Sequence, residues 1–215
     1  MVTAFRILLS LLPWAVFSVL AHRDAQAIGI AALGGVVVGA LLMARNRSGG
    51  VKLVDVTAVL SFGTIFVVAF AGGTGSTEWL AEYGRGVSTL VLGVVLLISA
   101  VTAPFTAEYA KEVVPCEQWA TAKFKATNRR VSALWGFLVL LVGAAHLFAA
   151  RFDQALARAG DDWLADLLLN WVLVLVLVLI GVKATDLLTR APAGRAGAMA
   201  QHAVVTDPAP RAGSR

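Results

Sequence analysis

The sequence predicts an all-α, polytopic transmembrane bundle of about six spans, and three observations predict it. Of 215 residues, 59% are hydrophobic and 14% charged, whereas a soluble domain carries about 25% charged residues to keep its surface wet. The apolar residues come in blocks close to the ~20 needed for a helix to cross the ~30 Å hydrocarbon layer. Inside lipid every backbone N–H and C=O must be paired within the protein, which leaves helices or closed barrels. Runs such as WVLVLVLVLIGV lack a barrel's alternating polar face.

The first segment, Phe5–Ala21, has a basic start at Arg6 and an interruption at Pro13-Trp14. Its flank Ala25-Gln26-Ala27 also fits a cleavable signal peptide, whose removal would leave five spans; the interruption, with Arg23-Asp24 following closely, argues for retention. The second, Ala27–Ala44, holds Gly35 and Gly39 in a small-xxx-small pattern that lets another helix approach closely. That pattern serves a homodimer face or packing inside one bundle, and packing is its commoner use.

The third segment, Val56–Gly73, is entered through Asp55, and the fourth, Val87–Ala103, is closed by Pro104. In the fifth, Val131–Ala150, His146 stands about one turn from the outer end, where an imidazole can titrate near neutral pH. A lone intramembrane His is more often hydrogen-bonded between helices. The sixth, Leu164–Val182, has Asp166 and Asn170 on one face at i, i+4, and Lys183 at its far end, long enough to snorkel. Residues 190–215 are rich in Ala, Pro, Gly and Arg, with too few large apolar side chains to pack, and read as a disordered basic tail. Residues 1–189 therefore form the bundle, with an interfacial loop at 104–130 and no second domain.

Lys and Arg are retained on the cytoplasmic side of a membrane. One side collects Arg6, Arg45, Arg47, Lys52, Lys111, Lys123, Lys125, Arg129, Arg130, Lys183, Arg190, Arg195, Arg211 and Arg215, leaving Arg23, Arg85, Arg151 and Arg158 opposite. Both termini are accordingly expected in the cytoplasm. The net charge of +5 and pI near 9.9 record this orientation rather than a nucleic-acid partner.

The largest cytoplasmic loop is PFTAEYAKEVVPCEQWATAKFKATNRR, residues 104 to 130. Phe105, Tyr109 and Val113 recur at i, i+4, i+8, and Glu108, Lys111 and Glu112 lie on the other faces, as in a short helix lying along the headgroups with its stripe toward the acyl chains. Pro115 ends it. Trp119 and Phe124 interleave with Lys123 and Lys125, and Arg129 and Arg130 lead into the fifth span. Trp favours the headgroup level, and basic residues near an anionic leaflet are worth ~1 kcal/mol each. Charge alone would satisfy a retention loop; the aromatics point further, to a platform that binds acidic lipid and can dock a partner.

No phosphate loop, His-Glu-x-x-His, Gly-x-Ser-x-Gly or intramembrane acid pair is present, so the expectation is no enzyme and no cofactor. Cys116 is alone, which excludes an internal disulfide, and three scattered His make no metal site. A transporter reading would route a polar path past Asp166, Asn170 and His146, but no internal repeat marks two matching halves.

Leu11 to Phe17 (LLPWAVF), the apolar third segment after a Lys, and Lys111, Glu112, Pro115, Trp119, Asn128 and Trp135 together resemble the bacterial intracellular septation protein A family, small multi-pass inner-membrane proteins. The resemblance covers roughly residues 5 to 150. Between Trp119 and Trp135 this chain is several residues longer than the family pattern, and it adds a sixth span and the basic tail. What the resemblance implies is a role in envelope biogenesis and septation through contacts with other inner-membrane proteins, without catalytic residues.

Overall fold

A computed structural model describes residues 2–21, 27–46, 50–156 and 167–189. The chain is a helical membrane bundle with no strand among the described residues. Among the described residues, four helices are long and apolar enough to cross a membrane: α3 (Ile28–Arg45), α4 (Leu53–Ala71), α5 (Gly73–Val101) and α7 (Ala122–Leu156).

The first apolar segment is two helices, α1 (Val2–Ser10) and α2 (Leu12–Leu20). Pro13 carries no N–H to bond the Leu9 carbonyl, and the chain crosses the gap with tighter bonds from Leu11 N to Leu8 O and from Trp14 N to Leu11 O, both 3.1 Å. The last apolar segment is likewise in two parts, a π-helical turn Leu168–Val172 running into α8 (Leu173–Thr189). Between α5 and α7 lie the short helix α6 (Phe105–Ala110) and a 3₁₀ turn, Cys116–Gln118.

α5, α7 and α8 run more than a few residues past their expected bounds. α5 begins at Gly73, so residues expected as a loop before Val87 are helical. Its 29 residues span about 43 Å at 1.5 Å per residue, well beyond the hydrocarbon layer. Leu80, Gly84 and Ser88 carry its buried stripe through that extension, so packing continues past the point where hydropathy fades. The reversal out of α4 is correspondingly abrupt: Gly72 N bonds Val68 O at 2.9 Å, and Gly73 takes φ +73°, a left-handed conformation that Gly alone adopts freely.

α5 and α7 form the main antiparallel contact, through one pattern used twice. Gly86, Leu90, Gly93 and Leu97 repeat the 4-3-4 spacing of Gly136, Leu140, Gly143 and Leu147. Each Leu lies over a Gly of the other helix: Leu147 on Gly86, Leu140 on Gly93, Leu97 on Gly136 and Leu90 on Gly143. A Cβ added at Gly93 would stand 2.8 Å from Leu140 N, and one at Gly136 2.9 Å from Leu97 N. The backbones are thus in contact, and lipid-equivalent hydrophobicity is replaced by dispersion as the source of affinity between helices.

Gly35 and Gly39 are used inside the chain. A Cβ at Gly35 would fall 2.6 Å from the Phe62 ring of α4, and one at Gly39 3.1 Å from Val59. Phe62 in turn meets Phe17 at 4.8 Å and Trp14 at 5.2 Å between ring centroids, closing an aromatic core among α2, α3 and α4. α8 joins through Gly181, which lies beneath Trp135, and through a 2.9 Å hydrogen bond from Trp135 Nε1 to Thr185 Oγ1. Large apolar side chains such as Leu60, Phe70 and Ile98 remain exposed on the outer faces, as lipid contact requires.

Candidate functional site

The ends of α1, α3, α4, α6, α7 and α8 that carry Arg6, Arg45, Lys52, Lys111, Lys123, Lys125, Arg129, Arg130 and Lys183 make one basic end of the bundle. Its interior is charged. Lys52 precedes α4 and is 2% exposed. Its ammonium donates to the Glu108 carbonyl at 3.0 Å, pairs with the Glu112 carboxylate and lies 5.0 Å from the Tyr109 ring centroid. Arg6, on α1, pairs with the other Glu112 oxygen. The Glu108 carboxylate accepts the Leu53 N–H at 3.0 Å and so caps α4, whose own entry residue offers no side-chain cap. Asp55, fully buried one turn further in, accepts from Asn46 Nδ2 at 3.0 Å.

These bonds join four helices that the sequence keeps up to about a hundred positions apart. Two charges withdrawn from water cost several kcal/mol each unless they are paired and hydrogen-bonded; here Glu108 and Glu112 have their donors, and Asp55 is bonded through Oδ2 while its Oδ1 is buried without one. Burial is the dominant influence on both partners. It pulls the Lys52 ammonium below the ordinary lysine value against the opposing pull of Glu108 and Asp55, and raises the Glu108 carboxyl against the Leu53 N–H and Lys52. Burial likewise pushes the Tyr109 phenol up.

α6 is held from its other side by α7. Thr106 Oγ1 donates to the Asn128 carbonyl at 2.9 Å and shares a 2.9 Å hydrogen bond with Ser132 Oγ, all buried. Phe105 and Tyr109, expected to face acyl chains, are instead 0% and 2% exposed inside the protein. This corrects the lipid-lying reading of the stripe: the i, i+4 face is apolar because it meets the bundle. Only Val113 of the three is exposed. The remaining named residues lie outside that packed face. Lys111, Lys123, Lys125, Arg129 and Arg130 are exposed, and Trp119 is half-buried, its Nε1 donating to Val114 O at 2.9 Å and its ring under the Lys111 ammonium.

No family model, curated protein or solved structure matches the chain.

Beside the ion pairs is a cavity of about 400 Å³, lined by Arg6, Ser10, Arg45, Asn46, Tyr109 and Glu112 together with Lys52, Leu9 and Leu42. Arg6, Asn46 and the Lys52–Glu112 pair belong to this site although their spacing in the chain gives no hint of it. One signal was legible: Glu108 and Glu112 recur at i, i+4 on a short helix, and Lys52 and Asp55 at i, i+3 enter a span. Among the described residues, no group of three or more His, Cys, Asp or Glu is placed to hold a metal ion. Of the transporter residues, His146 is buried on α7 next to an apolar groove it lines with Trp14, Trp135 and Trp171. Asp166 and the Asn170 side chain fall outside the described residues, as does the tail 190–215.

Proposed function

We propose that this multi-pass membrane protein acts by association rather than chemistry: its basic end binds acidic headgroups and docks other envelope proteins. The observation that carries this reading is the exposure of Lys111, Lys123, Lys125, Arg129 and Arg130, with Trp119 half-buried under Lys111, on an insert pinned to the bundle by Lys52, Glu108 and Thr106. A pinned basic surface meets an anionic leaflet with less ordering entropy to lose than a free loop, and each cation there adds ~1 kcal/mol of attraction.

The bias of Lys and Arg toward this end supports a cytoplasmic orientation with both termini inside. The resemblance to the intracellular septation protein A family supports the bacterial inner membrane as the location, and envelope upkeep or septation as the setting. A photoreactive side chain in place of Trp119 tests the association. It should capture acidic lipid and envelope proteins, and reversing Lys123, Lys125, Arg129 and Arg130 to Glu should weaken capture severalfold. Equal yields from zwitterionic and acidic membranes, with no protein captured, would contradict it.

A further inference from the structure

We infer that the cavity between α1, α3 and α6 is a specific site for a phosphate monoester or diester group, separate from the exposed cations of the insert. Three cations, Arg6, Arg45 and Lys52, line it against one carboxylate, Glu112. That carboxylate is already held by Arg6 and Lys52, and Glu108 and Asp55 face Lys52 from behind the wall, so the cation left for a ligand is Arg45. Arg45 makes no hydrogen bond or ion pair among the described residues, and a guanidinium presents a fork of donors that matches phosphate oxygens.

A second, independent feature points the same way. The Tyr109 hydroxyl lines the cavity beside the Ser10 hydroxyl, is buried with its residue 2% exposed, and has no partner at full hydrogen-bonding geometry. A buried polar atom without a partner costs free energy until something bonds it, and a phosphate oxygen in the cavity would accept that O–H. Ser10 and Asn46 supply further donors on the same wall. About 400 Å³ is ample for one phosphate with its glycerol, and Leu9 and Leu42 give an apolar flank for the first carbons of a chain. The lipid-headgroup source follows from the association reading, which places this end at the leaflet surface; the phosphate chemistry stands without it.

The test uses the full-length protein in nanodiscs of phosphatidylcholine doped with phosphatidylglycerol, with bound phosphatidylglycerol counted by native mass spectrometry after extraction. Arg45→Gln, at a side chain with no partner among the described residues, should lower retained phosphatidylglycerol affinity about tenfold, the equivalent of one charge-assisted hydrogen bond. Tyr109→Phe should lower it severalfold at unchanged thermal midpoint. Lys125→Gln, on the exposed insert, should change it less than twofold. Displacement by added glycerol phosphate would identify a free phosphate compound as the occupant, and resistance to it a membrane headgroup. Wild-type retention in both Arg45→Gln and Tyr109→Phe, or an equal loss in Lys125→Gln, overturns the site. Failure of capture at Trp119 with this pattern intact would remove the association reading alone.

Discussion

The Glu108 carboxylate accepts the Leu53 N–H at 3.0 Å, so the insert caps a membrane helix 55 positions before it in the chain. The same residue's carbonyl accepts from Lys52, so α6 bonds the start of α4 through both its side chain and its backbone.

Replacing Glu108 separates cap from charge. Glu108→Gln keeps an oxygen for Leu53 N–H, whereas Glu108→Ala leaves that N–H unpaired. The alanine variant should be less stable than the glutamine variant by about 1 kcal/mol, read as a lower thermal midpoint in detergent. Equal midpoints would show that water replaces the cap.

The pH dependence of the same pair has a definite sign. Burial raises the Glu108 carboxyl above its ordinary 4.5, so the folded protein binds that proton more tightly than the unfolded chain. Its contribution to stability is therefore lost as pH rises through the window just above 4.5, and regained on acidification. Lys52 and Asp55 face it throughout this window. Subtracting the midpoint-versus-pH curve of Glu108→Gln from that of the wild type should leave a difference falling with pH between about 4.5 and neutrality. A rising difference would mean that the partners outweigh burial.

The α5–α7 zipper predicts opposite results at similar-looking glycines. At Gly93 a methyl meets the Leu140 backbone at 2.8 Å, which cannot retreat without moving α7. Gly93→Ala should cost about 1–3 kcal/mol by overpacking. At Gly63, also mid-helix, nothing lies within 4 Å of the added methyl, so Gly63→Ala should be neutral or stabilise by about 0.5–1 kcal/mol. Unfolding in mixed micelles checks both.

Trp135 and Thr185 predict a coupled pair. Thr185→Val leaves the buried Trp135 Nε1 without its acceptor, at about 1–3 kcal/mol. Trp135→Phe in the Thr185→Val background should cost less than Trp135→Phe alone, because the hydrogen bond is already gone. Additive losses in a double-mutant cycle would show the contact to be incidental.

Hydropathy made the apolar segments legible to within a few residues for α3 and α4 because lipid contact is a property of each residue singly. It stopped short at α5, where the buried face of Leu80 and Gly84 is helical for reasons of packing rather than hydropathy. The stripe Phe105, Tyr109 showed which residues share a face but not what the face meets; lipid and protein interior select the same side chains. Gly35 and Gly39 stood out as a motif, yet the spacing that builds the largest contact, Gly86 to Gly93 and Gly136 to Gly143, is a seven-residue repeat visible in the sequence once both helices are aligned antiparallel. The charged cluster was least legible. Arg6, Asn46, Lys52, Asp55 and Glu112 lie on or beside different helices, and only the fold brings Arg6 and Lys52 to Glu112 and Asn46 to Asp55.

The orientation of the basic end can be read from the unaltered protein, because Cys116 is its single cysteine and is exposed in the insert. A membrane-impermeant maleimide should leave Cys116 unlabelled in intact cells and label it in inverted membrane vesicles. Labelling in intact cells, with protection in inverted vesicles, would place the insert outside and contradict the proposed cytoplasmic orientation of the association site.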